Sequence, residues 1–372
     1  MELASTADVR TGRVRAGALR TLVGLGSAGL LVLIFVRLVN VRAVFHRIEH
    51  LEIGWAVLCG VVFLAAYVVR ALRWRTLLAP CEVSIGRVVA IYQVATFINF
   101  LLPIRGGELA KSLLLRHSDG IPVSRSLATV SMDKAMDLLP AVVLLGLIPV
   151  VGLRLSRSLM VLLLAAMAVV AVAVVVLVLA AWRRERALSL LTHVARVLPR
   201  AARRRVEPMI VLFVDTLLAL VRRPRVMLVA GALTVVAVGF DALFAVLAFR
   251  AVGFPVAVPV VLYGYTFYNL AFILPTPPGQ VGSNEVVGLL IFSGGFGLNR
   301  AGVGAMFLFS HPWTAILMTL SGLVCLSTLG LSLRKTFRLA RADAPSETEQ
   351  PWNRAGTSSV ESQDQWISTD KS

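Results

Sequence analysis

"TFINFLLPIRGGE", residues 96–108, is echoed 170 positions later by "TFYNLAFILPTPPGQVGSNE", residues 266–285. Both copies begin Thr-Phe-x-Asn, run through apolar residues into Leu-Pro, pass glycines and reach a glutamate. Whether these two stretches cross a bilayer or turn back inside it decides the topology of the whole chain.

A bilayer is the right setting. Of the 372 residues, 58% are hydrophobic and only 15% are charged, with a mean hydropathy of +0.82. That is far more apolar than a soluble domain of this size. The formal charge of +17 could suggest a nucleic acid. The basic residues, however, sit between apolar runs and form no zinc, RNP or basic-zipper pattern, so no nucleic-acid partner is expected. Cys59, Cys81 and Cys325 are scattered packing residues, neither a disulfide framework nor a metal cluster. No Walker motif is present and no cofactor is expected. The first apolar run follows Arg10, Arg13, Arg15 and Arg20 but lacks a small-x-small cleavage site, so it reads as a retained anchor.

A helix needs roughly 20 apolar residues to cross the hydrocarbon core. Segments 19–36, 54–72, 127–150, 159–182, 226–249 and 301–333 meet that length. The two quoted stretches lie in further apolar segments, 88–117 and 259–297. If both crossed fully, the loop 183–225, with Arg183, Arg184, Arg186, Arg196, Arg200, Arg203, Arg204, Arg205, Arg222, Arg223 and Arg225, would face outside. The positive-inside rule opposes that placement. If each instead dips in and returns, the basic loop and both termini become cytoplasmic; Arg37, Arg42 and Arg47 remain discordant, with Glu49 and Glu52 beside them.

The expected fold is therefore an all-α polytopic membrane protein of six full transmembrane helices plus two re-entrant broken helix pairs. Residues 54–150 and 226–333 each read span, re-entrant pair, span, and the single span between them inverts the second unit. Inverted repeats whose broken helices meet near mid-membrane are a common transporter architecture. The expected segments are a basic cytoplasmic N-terminus 1–18, a membrane domain 19–335 and a disordered cytoplasmic tail 336–372. Excess arginine over lysine fits a GC-rich bacterial genome, and the expected location is the cell inner (plasma) membrane, multi-pass.

Interrupted backbone at membrane depth is tolerated only where protein buries it or where it lines a wet cavity. Pro103, Gly106 and Gly107 supply the first interruption; Pro275, Pro277, Pro278, Gly279 and Gly282 supply the second. A new half-helix is expected near Glu108 and near Glu285, with free N–H groups suited to phosphate. Arg105 adds a planar cationic fork, and Asn99 and Asn269 can bond freed carbonyls or a headgroup.

Ionisable residues inside spans are costly and mark function by default. Asp133 and Asp137 are four apart and share a helix face, with Lys134 beside them. Asp241 lies within a later span, and His311-Pro312 is expected to interrupt the last. The competing reading is structural: Arg105, Glu108, Asp133 and Lys134 would neutralise one another and hold the re-entrant pair in place. Trp55, Trp74, Trp182 and Trp313 read as interface anchors, and the 183–225 loop as amphipathic helices on the anionic inner leaflet.

"RWRTLL" at 73–78, "NFLLPIRGGELAKSLLL" at 99–115, "DKAMD" at 133–137 and "PTPPGQVGSNE" at 275–285 resemble the lysylphosphatidylglycerol synthase transmembrane region family of flippase-like proteins. The resemblance spans roughly residues 20–335; Lys134 stands where that family more often has arginine, and the second motif carries extra prolines. In well-known members this region is fused to a soluble aminoacyl-transferase domain, which this sequence is not expected to hold, so synthase activity is not carried over. The resemblance implies translocation of a phospholipid or polyprenyl-phosphate-linked lipid. The substrate-binding candidates are Asn99, Arg105, Gly106, Gly107, Glu108, Asp133, Lys134, Asp137, Asn269, Gly279, Gly282 and Glu285. Partners would be membrane lipids and a lipid-modifying enzyme. Two alternatives stand: a membrane enzyme acting on lipid-linked glycans or phosphates, and a non-transporting scaffold for a lipid synthase.

Overall fold

The computed structural model describes residues 29–101, 106–151, 156–158, 160–161, 163–165, 168, 185, 211–212, 214–216, 218–271 and 276–330. Among these, every regular element is helical. The labelled helices are α1 (Gly29–Leu38), α2 (Val41–Glu49), α3 (Ile53–Leu77), α4 (Ile85–Leu101), α5 (Gly107–Asp119), α6 (Val123–Val151), α7 (Pro224–Ala251), α8 (Val258–Ala271), α9 (Ser283–Gly288) and α10 (Arg300–Thr328). A 3-10 turn, Pro278–Gln280, precedes α9, and a π-helical segment, Leu289–Gly295, follows it.

This is an integral membrane protein. Helices α3, α7 and α10 are long and apolar enough to cross a bilayer; the 25 residues of α3 span roughly 37 Å at 1.5 Å per residue. Their outward faces remain apolar, with Leu228 75% and Val235 72% exposed. In lipid such exposure is not penalised, because the surrounding tails are as apolar as leucine.

The α1 and α2 helices bend by 90° against each other, so the pair could count as a fourth, broken span. Asn40 sits at the bend and accepts the Ala43 N–H at 3.2 Å, the usual role of an Asn N-cap. Arg47 is not a free loop charge: Nη1 donates to the Gly253 carbonyl at 3.0 Å, and the guanidinium lies 5.3 Å from the Phe254 ring centroid.

Inside, α3 packs along α7, with α4 on α3 and α8 on α7. Helix α5 packs on α6 and α9 on α10; α10 also crosses α4, and α6 crosses α8. Both quoted stretches break. The first ends α4 at Leu101 and resumes as α5 at Gly107; the second ends α8 at Ala271 and resumes as α9 at Ser283. Glycine is required at each restart. A Cβ on Gly107 would lie 2.0 Å from the Ala95 carbonyl oxygen, and Gly282, at φ +78, would place one 2.5 Å from Leu31 Cβ.

Three expectations change. His311-Pro312 does not interrupt the last helix, because α10 runs through Pro312 from Arg300 to Thr328 rather than over 301–333. Trp74 is fully buried and donates to Thr129 Oγ1 at 3.1 Å, a core residue and not an interface anchor. Trp313 likewise points inward, donating to the Ala56 carbonyl at 3.0 Å. The N-terminal segment 1–18, the tail 336–372, Trp182, Arg105, and most of the 159–182 span and of the 183–225 loop lie outside the described residues.

Candidate functional site

Six side chains from three helices close a ring of alternating charge. Arg73 on α3 donates from Nε to Asp133 Oδ1 at 2.8 Å and from Nη2 to Asp137 Oδ1 at 2.6 Å. Asp137 meets Lys134 at 3.4 Å, and Lys134 meets Glu108 at 3.2 Å. Glu108 meets Lys111 at 3.1 Å, and Lys111 returns to Asp133 at 3.6 Å. The local sequence explains the closure. Residues three or four apart are neighbours on a helix face: Glu108 and Lys111 on α5, and Lys134 and Asp137 on α6, bridge within their helices, leaving Arg73, Asp133 and Glu108 to link across.

Arg73 has two further acceptors, Thr234 Oγ1 at 3.2 Å and the Asp133 carbonyl at 3.1 Å. Four of its five N–H donors are therefore engaged, more than the three of a lysine ammonium. Lys111 lies 3.7 Å from the Tyr92 ring centroid, and the Tyr92 hydroxyl donates to Asp133 Oδ2 at 3.4 Å. Asn99 ties the break itself: Oδ1 accepts the Gly107 N–H at 2.7 Å, and Nδ2 donates to Glu108 Oε1 at 3.2 Å. One of the expected free amides of the half-helix is thus occupied by the protein.

Burial divides the ring. The side chains of Arg73, Lys111 and Asp133 are 1%, 2% and 0% exposed, whereas Lys134 is 39% and Asp137 31% exposed. The open part faces a cavity of about 730 Å³ lined by Asn99, Glu108, Lys134 and Asp137 from the first half of the chain, and by Asp241, Asn269 and His311 from the second. On that far wall Asp241 is bonded by Arg70 of α3, and Asn269 Nδ2 donates to Asp241 Oδ2 at 3.3 Å.

The second break has its own pair. His311 Nδ1 lies 2.7 Å from Glu285 Oε1, and Nε2 lies 2.8 Å from the Gly279 carbonyl oxygen. Glu108 meets Lys134, and Glu285 meets His311, 26 positions further on in both cases.

Of the residues singled out from sequence, Asn99, Glu108, Lys134, Asp137 and Asn269 share the cavity wall. Asp133 is behind it, fully buried in the ring. Gly106 and Gly107 form the start of α5, and Gly282 packs on α1. Gly279, at φ +64, presents its carbonyl to His311. Glu285 is buried beside His311, off the cavity wall. Arg105 lies outside the described residues.

Sequence reasoning missed Arg70, Arg73, Lys111 and Tyr92. Arg73 opens the "RWRTLL" motif, but with Arg70 it reads as one of two cations three apart at the end of an apolar run, a pattern equally suited to a flanking anchor. Among the described residues no group of three or more His, Cys, Asp or Glu side chains is placed to hold a metal ion.

The family profile described as "Lysylphosphatidylglycerol synthase TM region" matches residues 18–322. No curated protein and no solved structure matches the chain.

Proposed function

The chain belongs to the lysylphosphatidylglycerol synthase TM region family, and we propose that it carries a lipid between leaflets, acting as a transporter and not as an enzyme. The headgroup of a phospholipid or polyprenyl-phosphate-linked lipid occupies the cavity, and the tails stay in the bilayer. The observation that carries this reading is the cavity itself: about 730 Å³ of space with ionised walls, inside a bundle whose outer face is apolar. That volume falls within the roughly 300–1,000 Å³ range of small-molecule sites. Lys134 offers ammonium donors to a phosphate, while Asp137, Asn99 and Asn269 offer partners to amine or hydroxyl groups.

In this reading α3–α6 and α7–α10 are inverted copies, an arrangement suited to alternating access. The pairings of the first unit have counterparts in the second: α3 with α4 and α7 with α8, α5 with α6 and α9 with α10, α4 with α10 and α8 with α6. The two glutamate-to-base spacings agree with it. In this reading six helices cross fully, counting the 19–36 and 159–182 segments. Both termini are cytoplasmic at the inner membrane, and the Arg-rich loop lies on its anionic leaflet.

The test is leaflet exchange of labelled lipids in proteoliposomes, comparing wild type with the double variant Lys134→Gln/Asp137→Asn. Exchange well above protein-free vesicles, lost in the variant for a preferred lipid class, is expected. Background exchange by wild type across phospholipids and polyprenyl phosphates removes the proposal.

A further inference from the structure

The two broken elements hold their glutamates in different ways, and the difference has chemical content. Glu108 lies between two ammonium groups, Lys111 and Lys134, which neutralise it without any shared proton. Among the described residues the Glu285 carboxylate has one hydrogen-bond partner, the His311 imidazole; the residue is 6% exposed, and its Oε2 has none.

Taken as hydrogen bonds, the two His311 contacts call for two protons on the imidazole–carboxylate pair. The Gly279 carbonyl can only accept, so His311 Nε2 carries a proton. At 2.7 Å, Nδ1 and Glu285 Oε1 then need one proton between them. Either an imidazolium donates to a carboxylate, or a carboxylic acid donates to a neutral imidazole. Without that proton a nitrogen lone pair would face a carboxylate oxygen at hydrogen-bond distance, with the buried charge uncompensated.

We infer that Glu285 and His311 form a proton-binding site, and that its proton is the ion coupled to translocation; this rests on the carrier reading above. His311 lines the cavity, so the proton exchanges with cavity water, leaving as hydronium with no other bond made or broken. Its loss leaves the imidazole one N–H for two acceptors, so His311 lets go of either Glu285 or the Gly279 carbonyl. Gly279, at φ +64, lies in the turn between α8 and α9, and Glu285 lies on α9, so either release frees the second break. The proton is thereby linked to the element that the carrier reading requires to move.

From α8 the titratable group facing Glu285 is Tyr268, whose hydroxyl is bonded to Asn284 Oδ1 at 2.9 Å. From α4 the Phe100 ring meets His311 edge-on at 6.3 Å. On α10 the Thr314 hydroxyl donates to the His311 carbonyl at 3.0 Å, and α1 presents Leu31 and Val32 near Gly282. The charged groups that share the cavity wall with His311 are Arg70, Arg73, Glu108, Lys111, Lys134, Asp137 and Asp241, and each is held in an ion pair of its own.

The experiment uses full-length protein in vesicles of labelled phosphatidylethanolamine, phosphatidylglycerol or polyprenyl phosphate, with an entrapped pH-sensitive dye. Leaflet distribution is read with and without a gradient of about one pH unit, which at one proton per lipid sustains roughly a tenfold leaflet imbalance. The expected result is such an imbalance with matching proton movement, collapsing toward unity in Glu285→Gln and in His311→Gln. Each variant is also required to exchange lipid above protein-free vesicles without the gradient, so a loss of folded carrier is told apart from a loss of coupling. Wild-type exchange indifferent to the gradient overturns the coupling and leaves the carrier standing. Absence of wild-type exchange in every condition overturns both readings, and an imbalance retained in both variants overturns the coupling alone.

Discussion

Arg73 Nε meets Asp133 Oδ1 at 2.8 Å where the two side chains are 1% and 0% exposed. An isolated charge at membrane depth is costly, and the ring lowers that cost by giving every member two partners of opposite sign. Breaking a buried pair from one side typically costs about 3–5 kcal/mol, because the other charge is stranded. Arg73→Met is therefore expected to lower stability in detergent by about that much, measured as the midpoint of thermal aggregation on size exclusion. Arg73→Lys is expected to recover only part of the loss, since one ammonium cannot reach Asp133, Asp137 and Thr234 together. Full recovery by lysine would show that charge alone matters there.

The restart of α5 depends on backbone contact. A Cβ at Gly107 would lie 2.0 Å from the Ala95 carbonyl oxygen, and backbone cannot rotate away as a side chain can. Gly107→Ala is expected to cut the yield of monodisperse protein severalfold. At Gly239, midway along α7, an added Cβ would meet nothing within 4 Å. Gly239→Ala is expected to be neutral or stabilising by up to about 1 kcal/mol, the helix-propensity gain. Equal yields for the two variants would show that the break is not closed this tightly.

Tyr92 acts on the ring in two separable ways. Its hydroxyl makes one long bond, 3.4 Å, to Asp133, and its face lies 3.7 Å from Lys111 Nζ. Tyr92→Phe removes only the hydrogen bond and is expected to cost no more than about 1 kcal/mol. Tyr92→Leu also removes the aromatic face under a desolvated ammonium, worth about 2 kcal/mol more. Thermal midpoints of the two variants separate the contributions, and a larger effect from Tyr92→Phe would reverse the assignment.

The sequence made the two breaks legible because Pro-Gly runs inside apolar segments have few structural explanations at membrane depth. Asp133, Lys134 and Asp137 were visible for the same reason, as charges where charge is expensive. Their partners were not: Arg73 is 60 positions from Asp133, and a cation at the end of an apolar run reads equally well as an interfacial anchor. Trp74 misled in the same way, since tryptophan near a span end fits either the headgroup region or a buried contact such as Thr129. The 90° bend at Asn40 lay within a basic stretch that loop-charge counting treats as unstructured. Nor could spacing foretell that Glu108 would find two lysines while Glu285 would find one imidazole, because that depends on which side chains α6 and α10 turn inward.

The inverted arrangement makes the sharpest topological prediction. If α3–α6 and α7–α10 are inverted copies, the turn leading into α4 and the turn leading into α8 lie on opposite sides of the bilayer. Ser84 and Ala257 occupy those turns, and both are exposed. Cys59, Cys81 and Cys325 are free thiols, so they are first replaced by alanine or serine to give a silent background. In spheroplasts, Ala257→Cys is expected to react with a membrane-impermeant maleimide, and Ser84→Cys only after the membrane is opened. This assignment follows from placing the arginine-rich 183–225 loop in the cytoplasm. The reverse pattern would keep the inversion and flip the whole chain, at odds with the positive-inside rule. Labelling of both from one side would mean that the two breaks enter from the same face. The repeat could not then present its sites to alternate leaflets, and the cavity would have to serve a fixed pocket instead of a carrier.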